Sequence, residues 1–367
     1  MLFLTRLICS CRTKWNLIRL LLLALILFTF MVQMLTNIRQ LPGELAIHIH
    51  NSFLSGRFDD AKLVRKNYTF INSHQVLYTN HSPLLDTNSS GLRRYDYIIN
   101  EPNKCKGNVP FLILLVIGER WQQEARQAIR QTWGKEDFVP GVRMLRLFFL
   151  GKGLGWNDKG QRSLLEESRM FHDIIQQDYL DTYHNLSLKV IMGFNWISAH
   201  CPNASYVMKT DSDMFVNTEY LIHRLLKPDE PPKLNYFTGY LMINGTPIRN
   251  LGSKWYVPYE EYPEERYPIF CSGTGYVFSA NLVHDIVQVS PSIRWIHLED
   301  AFVGLCLDKL GVLPVAPPKL TDFNPWRVFY SDCEYNQIVT SHEMRPSDLR
   351  YLWNRLQKQK HKCVRTD

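Results

Sequence analysis

The protein has 367 residues, with 42 Lys and Arg against 35 Asp and Glu, and its formal net charge is +7. The first 40 residues contain five of these bases and no acid, so the remaining 327 residues hold 37 bases and 35 acids, a net charge of +2. The basic character therefore belongs mainly to the N-terminus, which argues against a nucleic-acid-binding surface. An apolar content of 45% with 13% aromatics excludes a wholly disordered chain.

An apolar run from Leu20 to Leu35 follows four of the N-terminal bases. As a helix the run would span about 24 Å, and extension to Ile38 approaches the bilayer core thickness of about 30 Å. A cleaved signal peptide is the alternative, but no small-x-small cleavage site follows the run. We therefore predict a cytoplasmic tail at 1–19 and an uncleaved transmembrane signal-anchor at 20–38. Because flanking bases stay in the cytosol, the rest of the chain is predicted to be lumenal.

Asn-x-Ser/Thr sequons are compatible with a lumenal body. They are predicted glycosylation sites at Asn67, Asn80, Asn88, Asn185, Asn203 and Asn244. Chance alone supplies several sequons in a chain of this length, so only their compatibility with lumenal exposure counts.

The cysteines also divide at the predicted anchor. Cys9 and Cys11 lie on its cytosolic side, where they are either palmitoylated or unmodified thiols. Six more could form up to three disulfides in an oxidising compartment. These are Cys105, Cys201, Cys271, Cys306, Cys333 and Cys363. No CxxC or closely spaced His/Cys cluster occurs, which argues against a zinc site.

Residues 39–104 show no sustained periodicity, and we predict a lumenal stem there. The sequence pattern changes at Val109, where a continuous apolar run begins that extends to Ile117. Such a run is typical of a strand buried on both faces. Beyond it, helix-like and strand-like segments alternate, which predicts an α/β sheet with parallel strands in a single domain at 105–367. The alternating segments are 122–133, 144–150, 160–172, 174–175, 186–199 and 205–210.

The first candidate site is Asp211-Ser212-Asp213, directly after the last of these strands. Two carboxylates at the carboxyl end of a strand can together hold a hard divalent cation and its bound phosphate oxygens. A D-x-D pattern alone also arises by chance or as a helix cap, so its position carries the prediction.

A second acidic pair, Glu299-Asp300, opens an apolar segment. It is either a helix cap or the source of a general base, and adjacent side chains point apart, so one of the two at most is the base. A third segment, Cys271–Ser279, has glycines at 273 and 275, which indicate close backbone approach to a ligand or a tight loop tethered by Cys271.

At these residues the chain resembles the animal β-1,3-galactosyltransferases, which are Golgi type II enzymes. The resemblance covers roughly 101–363 and depends on seven motifs in one order. They are Arg126–Trp133, Asp181–Lys189, Tyr206–Asn217, Tyr236–Tyr240, Lys254–Pro258, Cys271–Tyr276 and Glu299–Gly304. Seven ordered motifs are far more specific than any one of them.

The resemblance implies a GT-A nucleotide-sugar fold that binds UDP-galactose with Mn²⁺. It implies Asp213 as a direct metal ligand, His342 as a second ligand, Asp211 as support for metal and nucleotide, and Asp300 as the base. Three further positions match basic residues near the donor in the family, namely Arg126, Arg130 and Lys189. These side chains could equally form salt bridges on helix faces. Acceptor-side positions are Trp255, Gly273, Gly275 and Glu299.

Trp133 is expected in the core. Two departures from the family pattern stand out: Ala301 replaces the usual Val, and the stretch Tyr240–Gly245 is one residue longer than usual. Ala301 should alter packing without removing the base. The longer stretch lies near the expected acceptor side, so the identity of the acceptor stays open.

The predicted reaction is galactose transfer from UDP-galactose to the 3-hydroxyl of a terminal GlcNAc, or a related HexNAc, on a glycoprotein or glycolipid, in β-1,3 linkage and by a single inverting displacement. One alternative is a β-1,3-N-acetylglucosaminyl- or N-acetylgalactosaminyltransferase on the same scaffold. An alternative of another class is a non-catalytic glycan-binding relative, which would need neither metal ligands nor a base. A carboxylate-pair glycosidase would have no use for the metal motif or the anchor. Disulfide pairing and oligomeric state stay open.

Overall fold

The structure is a computed structural model that describes residues 93–107, 109–153 and 158–359. The predicted tail, the anchor and most of the stem lie outside these residues, as does Cys363. Within the described ranges, no helix combines the length and apolar character needed to cross a membrane.

The described residues alternate between strands and helices, as the sequence predicted. The strands are β1 (Tyr97–Ile99), β2 (Leu112–Ile117), β3 (Met144–Lys152), β4 (Ile174–Leu180), β5 (Tyr206–Asp211), β6 (Phe215–Val216), β7 (Phe237–Met242), β8 (Phe270–Ser279) and β9 (Thr340–Ser341). The α-helices are α1 (Gln123–Gln131), α2 (Asp158–Phe171), α3 (Leu186–His200), α4 (Thr218–Tyr220), α5 (Asn281–Val289), α6 (Glu299–Lys309), α7 (Asp332–Tyr335) and α8 (Pro346–Gln359). 3₁₀ turns occupy Tyr183–Asn185 and Ser290–Ser292, and a π-helical turn occupies Leu221–Leu226.

Seven strands form one mixed sheet in the order β1-β4-β3-β2-β5-β8-β7. The four central strands β4, β3, β2 and β5 are parallel, which confirms the predicted α/β arrangement. The strands outside them pair antiparallel, which the sequence did not predict. β7 and β8 are joined by a segment without a helix, and parallel neighbours would have needed a crossover connection.

Strand β2 shows why a continuous apolar run marks the middle of the sheet. Its six residues are all buried, and they alternate between two separate cores. Ile113 and Leu115 belong to the core that includes Trp196 of α3, whereas Leu112 and Leu114 belong to the other core. Because side chains of a strand alternate between faces, both faces must be apolar when both are covered by helices. Trp133 is fully buried in the second core, as predicted.

The sheet begins earlier in the chain than the predicted domain boundary. β1 falls inside the predicted stem 39–104, yet it pairs with β4 through Tyr97 and Gln177. Nearby, the indole Nε1–H of Trp196 donates to Asn100 Oδ1 at 2.7 Å. The predicted stem therefore overlaps the folded body by this edge strand, whose three residues are too few to show a periodicity.

The six cysteines predicted to be lumenal form fewer disulfides than their number allows. Cys105 is bonded to Cys201 across 96 residues, and Cys333 is also disulfide-bonded. Cys271 and Cys306 are free and buried, so the possibility of three disulfides was wrong. Burial in apolar surroundings raises the pKa of both free thiols, so they act as small core side chains.

Replacing both Cys105 and Cys201 with serine should lower the free energy of unfolding by about 2–4 kcal/mol, because the cross-link restricts a long loop of the unfolded chain. Urea unfolding of the full-length protein measures the loss. Reductant should then destabilise the double variant less than the wild type. An unfolding midpoint equal to that of the wild type under oxidising conditions would contradict the prediction.

Candidate active site

The order of the central strands reverses at the carboxyl ends of β2 and β5. After β2 the chain adds β3 and β4 on one side, and then returns to place β5 on the other. Ile117 and Asp211, the last residues of the two strands, are paired in register. Ligands of open α/β sheets bind at such switch points. The Asp211–Asp213 motif therefore lies where the topology itself favours a ligand.

The loop after β2 is joined to the Asp211–Asp213 motif by one side chain. Gln122 Oε1 accepts hydrogen bonds from the Glu119 backbone N–H at 2.8 Å and from Ser212 Oγ at 3.0 Å. Trp121 donates its indole N–H to the Glu119 carboxylate and leaves 70% of its surface exposed. Two linked loops and an exposed ring thus border the crevice.

A buried lysine connects the two acidic motifs. Lys209 lies on β5 and is 2% exposed. Its ammonium donates to Asp211 Oδ1 at 2.9 Å, to Glu299 Oε1 at 2.6 Å and to the Gly273 carbonyl. Although burial lowers the pKa of Lys209, the two carboxylates raise it above its usual range, so the ammonium stays charged. Its three donors are all used.

Glu299 is committed to this network. Its side chain is almost fully buried, and its second oxygen, Oε2, accepts from the Tyr276 hydroxyl at 3.1 Å. Burial raises the pKa of Glu299 to about 7 even though Lys209 acts to lower it. Because Glu299 is buried and ion-paired with Lys209, whereas Asp300 is only partly buried, Glu299 is the less accessible of the two acids and has no role as the base. The acceptor-side contact predicted for it stays a prediction.

Asp300 points elsewhere, as two neighbouring acids on one helix must. It lies in the first turn of α6, where Oδ1 accepts from the Ala301 N–H at 2.9 Å and Oδ2 from the Gly273 N–H at 3.0 Å. Burial raises the pKa of Asp300, whereas these backbone hydrogen bonds lower it. Each oxygen keeps a lone pair, so the carboxylate is oriented and still able to accept a proton. Ala301 is buried in the core, so its smaller volume, compared with the usual valine, affects core packing.

Asp213 and His342 are brought together from distant parts of the chain. The short β6–β9 pair places Phe215 opposite Ser341, and the Asp213 carbonyl accepts from the Met344 N–H at 2.8 Å. His342 Nε2 then lies 3.3 Å from Asp213 Oδ2. The sequence separation of this pair explains why no local pattern could reveal it.

The residues present fit a hard divalent cation in part. His342 Nδ1 lies 3.0 Å from the Pro325 carbonyl, which can only accept, so Nδ1 carries a proton, and Nε2, which faces Asp213, is the nitrogen that could ligate a cation. Asp213 adds a carboxylate that is half exposed. No three His, Cys, Asp or Glu side chains in the described ranges are grouped as a metal site, and Asp211 Oδ1 is taken by Lys209. A cation here would need further ligands from a bound molecule.

The two predicted donor-side arginines are ion-paired inside the protein. Arg126, 1% exposed, donates to both oxygens of Glu167 at 2.8 and 2.7 Å. Arg130, 8% exposed, pairs with Glu167 at 2.7 Å and with Asp173 at 2.8 Å. These contacts are the salt bridges that the sequence left open as the alternative to donor contact. Arg126 also donates to the Glu119 carbonyl at 2.8 Å and so supports the loop after β2. Direct donor contact stays a prediction.

Lys189, the third predicted donor-side base, also acts within the fold. It is 2% exposed, and its ammonium donates to the Gly118 carbonyl at 2.8 Å and lies 2.5 Å from Asp181 Oδ1. It therefore fixes the chain where β2 ends, at the border of the crevice.

The acceptor-side predictions fall in two places. Gly273 and Gly275 lie within β8, so the alternative of a tight loop was wrong. A Cβ atom at Gly273 would come within 2.5 Å of Glu299 Oε1, which explains the need for glycine beside the acidic pair. Gly275 pairs with Thr210 of β5. Trp255, 49% exposed, lies in the segment between β7 and β8, with the Lys254 ammonium 4.5 Å from its ring centre.

Three of the six sequons lie in the described residues. Asn203 and Asn244 are exposed, whereas Asn185 Nδ2 donates to the Leu180 carbonyl at 2.8 Å. Asn67, Asn80 and Asn88 lie outside the described residues. The amide nitrogen that would carry a glycan is thus already engaged at Asn185. Glycosylation at all six stays a prediction.

Sequence reasoning missed Lys209 and Tyr183. A lysine inside the apolar segment Tyr206–Thr210 is itself a signal, because a buried ammonium needs carboxylate partners. Tyr183 ends up 41% exposed beside the acids, and burial together with the charges of Asp300 and Asp211 raises its pKa to about 12. No spacing rule would have assigned it a role.

Replacing Lys209 with methionine should lower the free energy of unfolding by about 3–5 kcal/mol, because buried Glu299 loses its only described cationic partner. Lys227→Met is a matched control, since Lys227 is exposed and pairs with Glu230 on the surface, where the expected change is below about 1 kcal/mol. Urea unfolding compares the two. Adding Glu299→Gln to Lys209→Met should recover part of the loss, and equal stability of the two lysine variants would contradict the prediction.

The chain is similar to known galactosyltransferases. Residues 124–318 match the family model described as Galactosyltransferase, and residues 64–113 match that described as Beta-1,3-galactosyltransferase 2 N-terminus. The chain is 59% identical over 267 residues to Beta-1,3-galactosyltransferase 2 of Homo sapiens, which covers 73% of this chain and 63% of that protein. It is 45% identical over 305 residues to Beta-1,3-galactosyltransferase 1 of Mus musculus, which covers 83% of this chain and 88% of that protein.

The match spans only 63% of the length of the human relative. Among solved structures, the chain is similar to the galactosyltransferase LgtC in complex with donor and acceptor sugar analogs, at 8% identity and a TM-score of 0.37 over 68% of this chain and 99% of that one. Such a distant likeness carries no argument about the site. The family model, however, covers more than half of the sequence, and the chain belongs to the galactosyltransferase family.

Proposed function

We propose that the protein transfers galactose from UDP-galactose to the 3-hydroxyl of a terminal HexNAc on a glycan, forming a β-1,3 linkage with inversion. The observation that carries the proposal is the meeting of two acidic motifs through Lys209. One motif, at Asp211, borders the switch-point crevice, and the other holds Asp300 with lone pairs free. The printed names of the relatives support galactose as the donor sugar and β-1,3 as the linkage.

In this mechanism Asp300 removes the proton from the acceptor hydroxyl as that oxygen attacks the sugar carbon. The donor is α-linked and the product β-linked, so one in-line displacement suffices and no enzyme nucleophile is needed. Backbone hydrogen bonds from Gly273 and Ala301 hold the carboxylate in a fixed orientation for this transfer. Glu299, whose oxygens are used internally, positions rather than reacts.

Asp213 and His342 are the proposed protein ligands of Mn²⁺, with Asp211 as support. Held by these residues, such an ion would offset the charge of the diphosphate and so favour the departure of UDP. A GT-A arrangement is compatible with the mixed sheet and with the crevice beside Gln122. In this arrangement the nucleotide lies in the crevice and the acceptor approaches from the side of Asp300.

The proposed setting is the Golgi lumen, with the protein held as a single-pass type II membrane protein by residues 20–38. The acid-free basic N-terminus supports this orientation. The disulfide between Cys105 and Cys201 is compatible with an oxidising compartment.

The donor is tested by incubating the full-length protein in detergent with Mn²⁺, a GlcNAc-terminated acceptor and, separately, UDP-galactose, UDP-GlcNAc and UDP-GalNAc. We expect a β-1,3-linked product from UDP-galactose alone, identified by linkage analysis. Faster transfer from either N-acetylated donor would support the other transferase class. UDP binding without transfer from any donor would support the non-catalytic alternative.

Two substitutions should separate proton transfer from donor binding. Asp300→Asn should lower turnover by about 10²–10⁴-fold and leave Mn²⁺-dependent UDP binding intact, because only the base is lost. Asp213→Ala should instead abolish the Mn²⁺ dependence of UDP binding. Calorimetric titration of UDP with and without Mn²⁺ measures the second effect. Asp229→Asn, a change at an exposed acid, serves as the control.

Normal turnover of Asp300→Asn would remove the base from the mechanism. UDP binding by Asp213→Ala that still depends on Mn²⁺ as in the wild type would remove Asp213 from the metal site.

A further inference from the structure

Three aromatic rings lie together beside the proposed base. The ring centres of His184 and His297 are 4.8 Å apart, and the ring of Tyr183 lies 6.3 Å from the first and 6.4 Å from the second. His297 is 3% exposed, whereas Tyr183 is 41% exposed. A buried ring thus supports an open one.

The buried ring is fixed from the segment between β7 and β8. Glu261 Oε1 accepts from the backbone N–H of His297 at 2.5 Å and lies 2.6 Å from its Nδ1. The other ring nitrogen, Nε2, is buried and has no hydrogen-bond partner in the described part of the chain. Glu261 alone therefore sets the orientation of the His297 ring by hydrogen bonding.

The segments that carry the rings and the base are joined by a hydrogen bond. Tyr183 and His184 belong to the 3₁₀ turn directly before α3, and His297 lies three residues before Asp300. Ser187 of α3 donates to the Ile296 carbonyl at 2.7 Å, which fastens that turn to the chain entering α6. The turn that carries Tyr183 is therefore tied to the segment that leads to Asp300.

We propose that the exposed ring of Tyr183 is the surface against which the acceptor sugar packs, and that Glu261 positions this ring through His297. The inference rests on the transferase function proposed above. Ligand pockets combine apolar and aromatic walls with a few oriented polar groups, and the C–H face of a sugar ring offers an apolar surface to such a wall. A sugar held there presents its hydroxyls to Asp300.

The test is steady-state kinetics of the full-length protein with UDP-galactose, Mn²⁺ and methyl β-N-acetylglucosaminide, which has no aromatic aglycone. Tyr183→Ala should raise the KM for the acceptor at least about tenfold and change the KM for UDP-galactose less than about twofold. Tyr183→Phe keeps the ring and should stay within about threefold of the wild type for both. Tyr351→Ala removes another exposed tyrosine, from α8, and is the control.

Glu261 has its own matched set. Glu261→Ala should raise the KM for the acceptor more than it lowers kcat, because the ring support loosens while Asp300 stays in place. Glu261→Gln keeps an accepting oxygen and should recover most of that effect. Glu265→Gln, an exposed acid of the same segment, should change neither constant.

Three outcomes would overturn the inference: an unchanged acceptor KM in Tyr183→Ala, equal losses in Tyr183→Phe and Tyr183→Ala, or equal rises in both KM values with a lower melting temperature. Each requires that the wild type transfers galactose. A wild type that transfers none would instead contradict the proposed function itself, so the two failures are distinguishable.

Discussion

The site is organised by one buried ammonium group. Lys209 satisfies its three donors with Asp211, Glu299 and the Gly273 carbonyl, and these partners belong to three different elements. A buried charge without partners would cost several kcal/mol, so each element is constrained to meet the lysine. Gly273 in turn donates to Asp300. The position of the proposed base is therefore set, through one glycine, by the same lysine that holds the proposed metal motif.

The sequence predicted the central fold well, because burial on both faces leaves a signal in every residue. The run that became β2 is of this kind. The helical spacing before Trp133 was readable for another reason, because one face of α1 is buried and the other exposed. The antiparallel strands β7 and β8 were not predicted, because the glycines of Cys271–Ser279 suggested a turn. Glycine is needed in this strand because a Cβ atom at position 273 would clash with Glu299, and this requirement is independent of whether the chain turns. β1 escaped because an edge strand of three residues has no readable period.

The site was predictable only where acids lie in short motifs. Asp211, Asp213 and Asp300 are visible in this way, whereas His342 depended on family resemblance because its approach to Asp213 is created by the β6–β9 pair. Arg126 and Arg130 show the opposite difficulty. A basic side chain predicted to meet phosphate looks the same in sequence as one that balances a buried carboxylate, and only the positions of Glu167 and Asp173 distinguish them.

Charge balance explains why this arrangement suits a cation-assisted reaction. Four carboxylates, at Asp211, Asp213, Glu299 and Asp300, gather at one edge of the sheet, and Lys209 is the cation buried among them. Lys209 neutralises at most one unit of that charge. A diphosphate entering the same crevice adds negative charge, and its approach is unfavourable unless positive charge arrives with it. In the proposed reaction, this local excess of acid would make donor binding dependent on a divalent cation, whereas the near-neutral remainder of the chain beyond residue 40 would have no part in that requirement.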